Sequence, residues 1–428
     1  MTDSGFPRSV RPRFERVRHN DDDDAMTTTE PDHRVQRALV AAIAIIATLA
    51  AIAMVAFWPR GDAPSLTGTS ADLEYVTVTV TSVERVDCVD PLEDLPTTCQ
   101  RADVEVTSGS IEGTTGVVQR SLLDRAAAEF SPGDRLVVSY NPLAPAEYAL
   151  TFYEFQRTAP LVILTVVFVL AVIAFGRWKG LRALAGLVVS LGVIVVFLLP
   201  ALLRGSNAVG VALTAATVIA FAALYLAHGV TLTTTVALLG TLAALLFITF
   251  ATSLVSVAAT LTGLSESSLQ TLAVTAEGVN PRDILLAGIV IGALGVLDDV
   301  TVTQVSAVAE LRRANPTMPR REVYRAATRI GRDHVASTVN TLVLAYVGAA
   351  LALMLFFYQE GRALSLVLTS EAVAIEIVRT LVGSIGIIMA VPLTTGLAAL
   401  VADSVPLDPS YGHSHAHDHS HDLDPPVL

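Results

Sequence analysis

A series of long apolar stretches constrains this chain more than any other feature of its sequence. A helix needs about 20 mostly apolar residues to cross the roughly 30 Å hydrocarbon core of a bilayer. Eight stretches meet this requirement, near residues 38–57, 159–176, 181–203, 207–227, 230–250, 283–309, 335–358 and 376–402. The chain is therefore predicted to be an α-helical polytopic membrane protein with about eight transmembrane helices.

The composition supports this class and argues against several others. The chain is 52% hydrophobic and 16% charged, whereas about 25% of residues are charged in soluble proteins. It has no basic patch of the kind that binds nucleic acid, and no nucleotide-binding loop, HExxH metal motif or GxSxG elbow. We therefore predict a protein that is not an enzyme and that binds no nucleic acid.

The segment between the first two predicted spans has a different periodicity. Tyr75–Thr81, Ala102–Thr107 and Arg135–Tyr140 alternate apolar and polar residues, and glycines mark turns between them. Short alternating strands predict a small β-domain, with an OB-like barrel as the first expectation. Because no aromatic stacking cluster is visible, packing or partner contact is favoured over ligand binding as the role of this domain.

Arginine placement predicts the orientation of the chain. The N-terminus, Gly176–Arg182 and Arg312–His334 are rich in arginine, and counting spans places all three on one side, which the positive-inside rule identifies as the cytoplasm. The β-domain then lies outside a bacterial plasma membrane. Cys88 and Cys99 are both in this domain, where an oxidising environment favours a disulfide, the alternative being two unrelated thiols.

These patterns divide the chain into five predicted parts. They are a disordered cytoplasmic N-terminus (1–37), a first transmembrane anchor (38–57), the extracytoplasmic β-domain (58–157), a seven-helix membrane domain (158–402) and a disordered His-rich cytoplasmic tail (403–428). The tail alternates histidine with small or acidic residues, at His413, His415, His417, His419 and His421. Imidazoles at this density bind Zn²⁺ or Ni²⁺, so the tail either supplies metal to a transporter or binds it incidentally. No other cofactor is predicted.

Two adjacent carboxylates, Asp298 and Asp299, lie inside one apolar stretch. A charge at membrane depth costs at least about 2.5–3.5 kcal/mol, so such residues usually face a bundle interior or a water-filled cavity. We therefore predict a site that binds a cation or carries a proton. The alternative is a structural contact of Asp299 with another polar residue. Three residues are candidates for that contact: Thr303, Gln304 and Asn340.

Two further features, and one alternative function, concern polar and small residues of the predicted spans. Glu376 and Arg379, three positions apart, form either an ordinary helical ion pair or a buried charge that gates the outer mouth. Glycines at the four- and three-residue spacing of Gly288, Gly292 and Gly295 predict close approach of another helix. An intramembrane aspartyl protease is a weaker alternative to transport, because it needs a second aspartate on another span. Asp333 is the only loose candidate for that second aspartate.

From about Tyr75 to Thr395, the chain resembles the YibE/F-like family of bacterial multipass membrane proteins. The resemblance is carried by four segments, Pro132–Tyr140, Val279–Val300, Ile330–Gly348 and Ser370–Gly386. It implies a membrane protein, often regarded as a permease, with no established substrate. The family pattern has one aspartate after the Gly-Ala-Leu-Gly stretch, preceded by a small or apolar residue. Asp299 matches that position and Asp298 departs from the pattern, so we expect Asp299 to matter more.

The sequence thus favours a permease-like transport component for a small solute or ion, with an intramembrane carboxylate centre. The main alternative is a non-transporting membrane scaffold or envelope-stress factor. In that case the β-domain would contact an envelope protein.

Overall fold

A computed structural model describes residues 33–61, 73–89, 96–121, 128–145, 148–265, 267–275 and 278–402. The protein is mostly helical, with a separate β-sheet domain between its first two long helices. The helices are α1 (His33–Ala56), α2 (Thr158–Val193), α3 (Leu199–Leu203), α4 (Ala208–His228), α5 (Leu232–Ala258), α6 (Ser267–Thr275), α7 (Pro281–Ala314), α8 (Arg320–Ala349), α9 (Leu351–Gln359), α10 (Leu364–Thr369) and α11 (Glu371–Val401). A π-helical turn, Ile194–Leu198, joins α2 to α3.

Six helices in the described residues are long and apolar enough to cross a membrane, and a seventh span results if α8 and α9 are counted as one. One of the six, Thr158–Leu203, has 46 residues, or about 69 Å at 1.5 Å per residue. That is about twice the hydrocarbon thickness of a bilayer. This helix is broken at Arg177 into two arms. If each arm is one span and α8 with α9 is another, the total is the eight spans that the sequence predicts.

The break between those arms lies at Arg177, whose backbone is left-handed, with φ 49°. A Cβ atom on Gly180 would collide with the carbonyl oxygen of Val172, although eight residues of straight helix would separate them by about 12 Å. The chain therefore bends sharply within the predicted basic loop. Only glycine fits at position 180 because the backbone of the first arm lies against it.

Several predicted boundaries agree with the structure. α4 ends at His228 and Gly229 has a positive φ of 79°, so the predicted tight turn is present. α7 begins with Asn280 as its N-cap and Pro281 at its first position, as predicted.

Two other boundaries differ from the prediction. α1 begins earlier than predicted, since residues 33–37 are helical and not disordered. The span predicted at 335–358 is bent by 56° between α8 and α9.

The helical core is centred on α5, α7 and α11, which pack on one another. Large apolar side chains from all three are completely buried, among them Leu245, Ile248, Leu297 and Ile387. In contrast, α1 and the first arm of α2 expose apolar side chains nearly all round. A helix with apolar residues on every face suits a lipid environment, which agrees with the predicted membrane class.

The β-domain is a five-stranded antiparallel sheet in the order β3-β2-β1-β4-β5. Its strands are β1 (Glu74–Val89), β2 (Pro96–Val106), β3 (Thr115–Ser121), β4 (Arg135–Tyr140) and β5 (Leu150–Phe155). The long strand β1 pairs with β4 through its first half and with β2 through its second half, so the sheet curls into a half-barrel. The predicted alternation is confirmed, since Val76, Val78 and Val80 face the core. Among the described strands, β3 and β5 are the edges.

Aromatic residues cluster in this domain, contrary to the expectation from sequence. Phe130, Phe152 and Phe155 pack together in the core, with ring centroids 5.1 to 5.9 Å apart. Tyr75 and Tyr153 form an edge-to-face pair at 4.8 Å on the surface. Phe130 and Tyr75 are far in sequence from the β5 aromatics that they contact, which is why these contacts were not visible there.

Cys88 and Cys99 lie on the paired strands β1 and β2. Their Sγ atoms are at bonding distance and their Cα atoms are 5.8 Å apart, so the predicted disulfide is present in the structure.

Candidate functional site

Asp298 and Asp299 lie near the midpoint of the 34-residue helix α7, and their surroundings differ. The side chain of Asp298 points inward beside Thr241 of α5. Its Oδ1 atom is fully enclosed and has no hydrogen-bond partner among the described residues. The side chain of Asp299 is 74% exposed. Successive helical residues point about 100° apart, so one carboxylate enters the core while the other leaves it.

A network of hydroxyl and amide groups surrounds Asp298 inside the core. The Oγ1 atoms of Thr241 and Thr301 are 2.7 Å apart, and the Thr301 hydroxyl also lies 3.2 Å from the carbonyl oxygen of Asp298. Gln304 lies one turn further along α7, and its Oε1 accepts a hydrogen bond from the Thr395 hydroxyl of α11 at 2.9 Å. The Nε2 atom of Gln304 is buried without a partner among the described residues. The network therefore holds spare hydrogen-bonding capacity in an apolar interior.

Glycines bring the helices close enough to form this network. A Cβ on Gly240 of α5 would collide with Thr394 of α11. A Cβ on Gly331 of α8 would lie 2.7 Å from both amide atoms of Gln304. These contacts press α8 and α11 onto the polar residues of α5 and α7, which holds the network in place.

The glycines predicted to carry close packing have a different role. A Cβ on Gly288 or Gly295 would meet nothing within 4 Å, and one on Gly292 would meet only the Tyr346 hydroxyl, at 3.6 Å. The packing prediction for this face of α7 is therefore wrong. Gly295 lines a cavity, because the absence of side chains here leaves open space.

That cavity has a volume of about 490 Å³ and lies between α2, α4 and α7. Asp298 and Asp299 both line it, and Ser190 and His228 are its other polar residues. The remaining lining is aliphatic, so the cavity presents two carboxylates, an imidazole and a hydroxyl within an apolar wall. Such a surface is suited to a small cation, a proton carried by water, or a small solute with donor groups.

His334 of α8 lies beside Asp299 and does not line the cavity. Its Nε2 atom is 3.8 Å from Oδ2 of Asp299, close enough for an ion pair when the imidazole is protonated. Thr303, Gln304 and Asn340 were the alternative structural partners for Asp299, but His334 is the residue that lies beside it. Gln304 bonds to Thr395 instead, Thr303 is half-buried, and Asn340 is exposed. Asp333, the residue that a protease would require, is also exposed.

Glu376 and Arg379 form the helical ion pair predicted at the start of the last span, at 2.8 Å. The second carboxylate oxygen of Glu376 is enclosed without a partner among the described residues. This residue lines an apolar cavity of about 290 Å³ beside Tyr346, separate from the cavity at Asp298. Nearby, Glu371 accepts hydrogen bonds from the amides of Thr262 and Gly263, and so fastens the α5–α6 loop.

Metal binding in the tail remains a prediction, because all five of its histidines lie outside the described residues. Within the described part of the chain, no group of three histidine, cysteine or acidic residues is placed to hold a metal ion.

Sequence analysis placed Thr301 on the polar stripe of α7 but missed the other residues that complete the site, namely Thr241, Thr394, Thr395, His228 and His334. Each was visible only as a polar residue within or beside an apolar stretch. Their partners lie 60 or 91 positions away in the hydrogen-bonded pairs, so only the packing of the helices could identify them.

Comparison with known proteins gives one match. The profile of a family described as YibE/F-like protein matches residues 164–404, which include α4 to α11 and most of α2. The match covers more than half of the chain and includes every residue of the carboxylate site. No curated protein and no solved structure matches this chain.

Proposed function

Because the chain belongs to the YibE/F-like family, we propose that it is a permease-like transport component of the bacterial plasma membrane. Both termini are cytoplasmic in this proposal, and residues 58–157 lie outside. The apolar helices and the family membership support a membrane location. The arginine-rich segments support the orientation, since cytoplasmic loops carry an excess of arginine and lysine.

The observation that carries the transport proposal is that Asp298 lines a 490 Å³ cavity and has one enclosed carboxylate oxygen without a partner among the described residues. Buried polar atoms in folded proteins nearly always have a partner, so an exception requires an explanation. In an apolar interior the missing partner costs free energy, which a bound water, ion or solute would recover. Binding sites near the midplane, lined by polar groups of several helices, are typical of secondary transporters.

We assign different roles to the two carboxylates. Asp298 binds the transported cation or proton in the interior, with Thr241 and Thr301 orienting its surroundings. Asp299, paired with His334, lies at the cavity wall and attracts the same species to the site. This assignment reverses the ranking expected from the family pattern, and it is supported by the deeper position of Asp298, the residue that departs from the pattern.

Reconstituted vesicles test the proposal directly. The full chain in proteoliposomes should dissipate an imposed gradient of protons or of a small cation, detected with entrapped pH- and cation-sensitive dyes. Asp298→Asn combined with Asp299→Asn should abolish that flux and leave the melting temperature near that of the wild type. Absence of flux in the wild type across protons, Na⁺, K⁺ and Mg²⁺ would remove the support for ion transport.

A second candidate function, a scaffold acting through the β-domain, is favoured by one observation. Tyr75 and Tyr153 stack at the surface with 50% and 59% of their area exposed. Tyrosines are enriched at protein interfaces because they combine a large apolar area with a hydroxyl group. If this surface carries the function, Tyr75→Ser with Tyr153→Ser should abolish a cellular phenotype that Asp298→Asn leaves intact.

A further inference from the structure

Another cavity lies at the opposite end of α8 from its bend, where α8 begins beside the end of α11. It has a volume of about 500 Å³. The first two turns of α8 contribute Arg320, Arg321, Tyr324 and Arg325, and α11 contributes Gly396, Ala399 and Leu400. No carboxylate lines it among the described residues. The cavity therefore combines a strongly cationic wall with an apolar floor.

The two turns of α8 are fixed in place by their buried face. Val323 and Ala327 are completely buried in a cluster with Ala398 and Val401 of α11. Residues at this spacing share one side of a helix, so the arginines are held along the edge of that contact. Tyr324 packs over Gly396, with its ring 3.9 Å from the position of a Cβ there, which closes one side of the cavity.

Two of the guanidinium groups have hydrogen-bonding capacity to spare. Arg321 and Arg325 are exposed and make no hydrogen bond or ion pair to another described residue. They are four positions apart, on neighbouring turns of one helix face. Guanidinium groups bind the oxygens of a phosphate by paired, charge-assisted hydrogen bonds.

An apolar track leads away from these arginines. Leu393, Gly396 and Leu400 follow one face of α11 at helical spacing, and Leu400 is 60% exposed. The track runs from the end of α11 toward the middle of that helix. An acyl chain could lie along it while a phosphate group remains at the arginines. A free phosphate ion would leave the track uncovered.

We propose that this cavity binds one anionic phospholipid, with its phosphate between Arg321 and Arg325 and an acyl chain along Leu393, Gly396 and Leu400. The site rests on the membrane location proposed above but does not depend on transport. In the proposed orientation it faces the cytoplasmic leaflet, where anionic lipids concentrate and where basic pockets between helices bind their headgroups.

Native mass spectrometry of the full chain in detergent tests this site. Phosphatidylglycerol should bind the wild type with a discrete first site, and Arg321→Gln with Arg325→Gln should weaken that site about thirtyfold. The matched control is Arg329→Gln with Arg332→Gln, which removes the same charge from exposed positions of the same helix outside the cavity. The control should bind as the wild type does.

A second variant and a second ligand separate the remaining outcomes. Gly396→Leu fills the floor without changing charge, and it should also weaken binding if the acyl track is used. Equal losses in the cavity and control variants would overturn the proposal in favour of non-specific charge attraction. Displacement of the lipid by an equal concentration of inorganic phosphate would overturn it in favour of a soluble phosphate ligand. Wild-type affinity in the cavity variant would rule out these arginines.

Discussion

Two buried glutamines, one in the β-domain and one in the helical core, have very different hydrogen bonding. Gln100 is 2% exposed and both ends of its amide are occupied, since Oε1 accepts from the amide of Phe130 at 2.7 Å and Nε2 donates to Glu129 at 3.3 Å. Gln304 is 0% exposed, and its Nε2 has no partner among the described residues.

The same contrast extends to the surrounding regions. In the β-domain, Gln100 connects β2 to the segment at Phe130 and so completes the fold. In the helical core, enclosed atoms of Asp298, Gln304 and Thr394 have no hydrogen-bond partner within the part of the chain that the structure describes. Because an unsatisfied buried polar group costs about 1–3 kcal/mol, its retention suggests a purpose other than stability. Gln100 therefore has a structural role in the β-domain, whereas the function proposed above would account for the unsatisfied groups near Asp298.

The disulfide gives the largest expected effect and tests whether the two regions are independent. Cys88→Ser with Cys99→Ser removes the cross-link between two residues that are 11 positions apart. This should lower the stability of the β-domain by about 3 kcal/mol. Hydrogen exchange with mass spectrometry on the full chain should show faster exchange in peptides from β1 and β2. Peptides from α5, α7 and α11 should be unchanged, and increased exchange there would show that the regions are coupled.

The glutamines themselves provide the second test. Gln100→Leu strands the buried amide of Phe130 and should destabilise the β-domain by about 2 kcal/mol. Gln304→Leu leaves the buried Thr395 hydroxyl without its acceptor but also removes an unsatisfied donor, and these opposing effects should leave a net cost of about 1 kcal/mol or less. Hydrogen exchange of the two regions measures both values. A larger loss of stability for Gln304→Leu than for Gln100→Leu would contradict the proposed difference between the two glutamines.

Close packing around Gln304 is the subject of the third test. A methyl group at position 331 would press on the Gln304 amide and on Val391, so Gly331→Ala should destabilise the core by about 1 kcal/mol or more. Gly288→Ala is the matched control, since its Cβ meets nothing within 4 Å. That change should be neutral or stabilise α7 by up to about 1 kcal/mol, as for glycine in a helix interior. Equal effects on the melting temperature would contradict the proposed packing.

The smallest effect concerns an exposed carboxylate of the β-domain. Hydrogen bonds from the Ser110 hydroxyl and backbone amide lower the pKa of Glu74 below its ordinary value. A depressed folded-state pKa gives stability that is present above the unfolded pKa and lost as the pH falls through the folded pKa. Ser110→Ala should therefore reduce the loss of melting temperature on acidification below pH 4.5, the ordinary pKa of a glutamate side chain. In a Glu74→Gln background, Ser110→Ala should have no pH-dependent effect, and a persistent one would point to another group.

Local patterns predicted much of this fold, because their causes are local. The turn at His228–Gly229 and the cap at Asn280–Pro281 follow from backbone preferences of single residues. Alternation around Val76–Val80 identified a strand because one face of the sheet is buried. The bend at Arg177 was anticipated only as a loop between two spans.

Features that depend on which helices meet were not predictable in this way. The sequence located the carboxylate pair, but it could not show that Asp298 is enclosed and Asp299 exposed, since that depends on the rotation of α7 against its neighbours. The same limit hid the contact of Thr241 with Thr301. It also led to the wrong role for Gly295, which lines an open cavity although its spacing from Gly288 and Gly292 is typical of a packed helix.

We propose that Asp298, with its enclosed Oδ1 atom, is retained for transport and not for folding. The most direct test compares Asp298→Asn with Asp333→Asn, an equal change at an exposed position of α8, in proteoliposomes prepared from full chains of equal melting temperature. We predict that Asp298→Asn abolishes the gradient-driven flux of the wild type while Asp333→Asn retains it. Full flux in a stably folded Asp298→Asn protein would contradict the account.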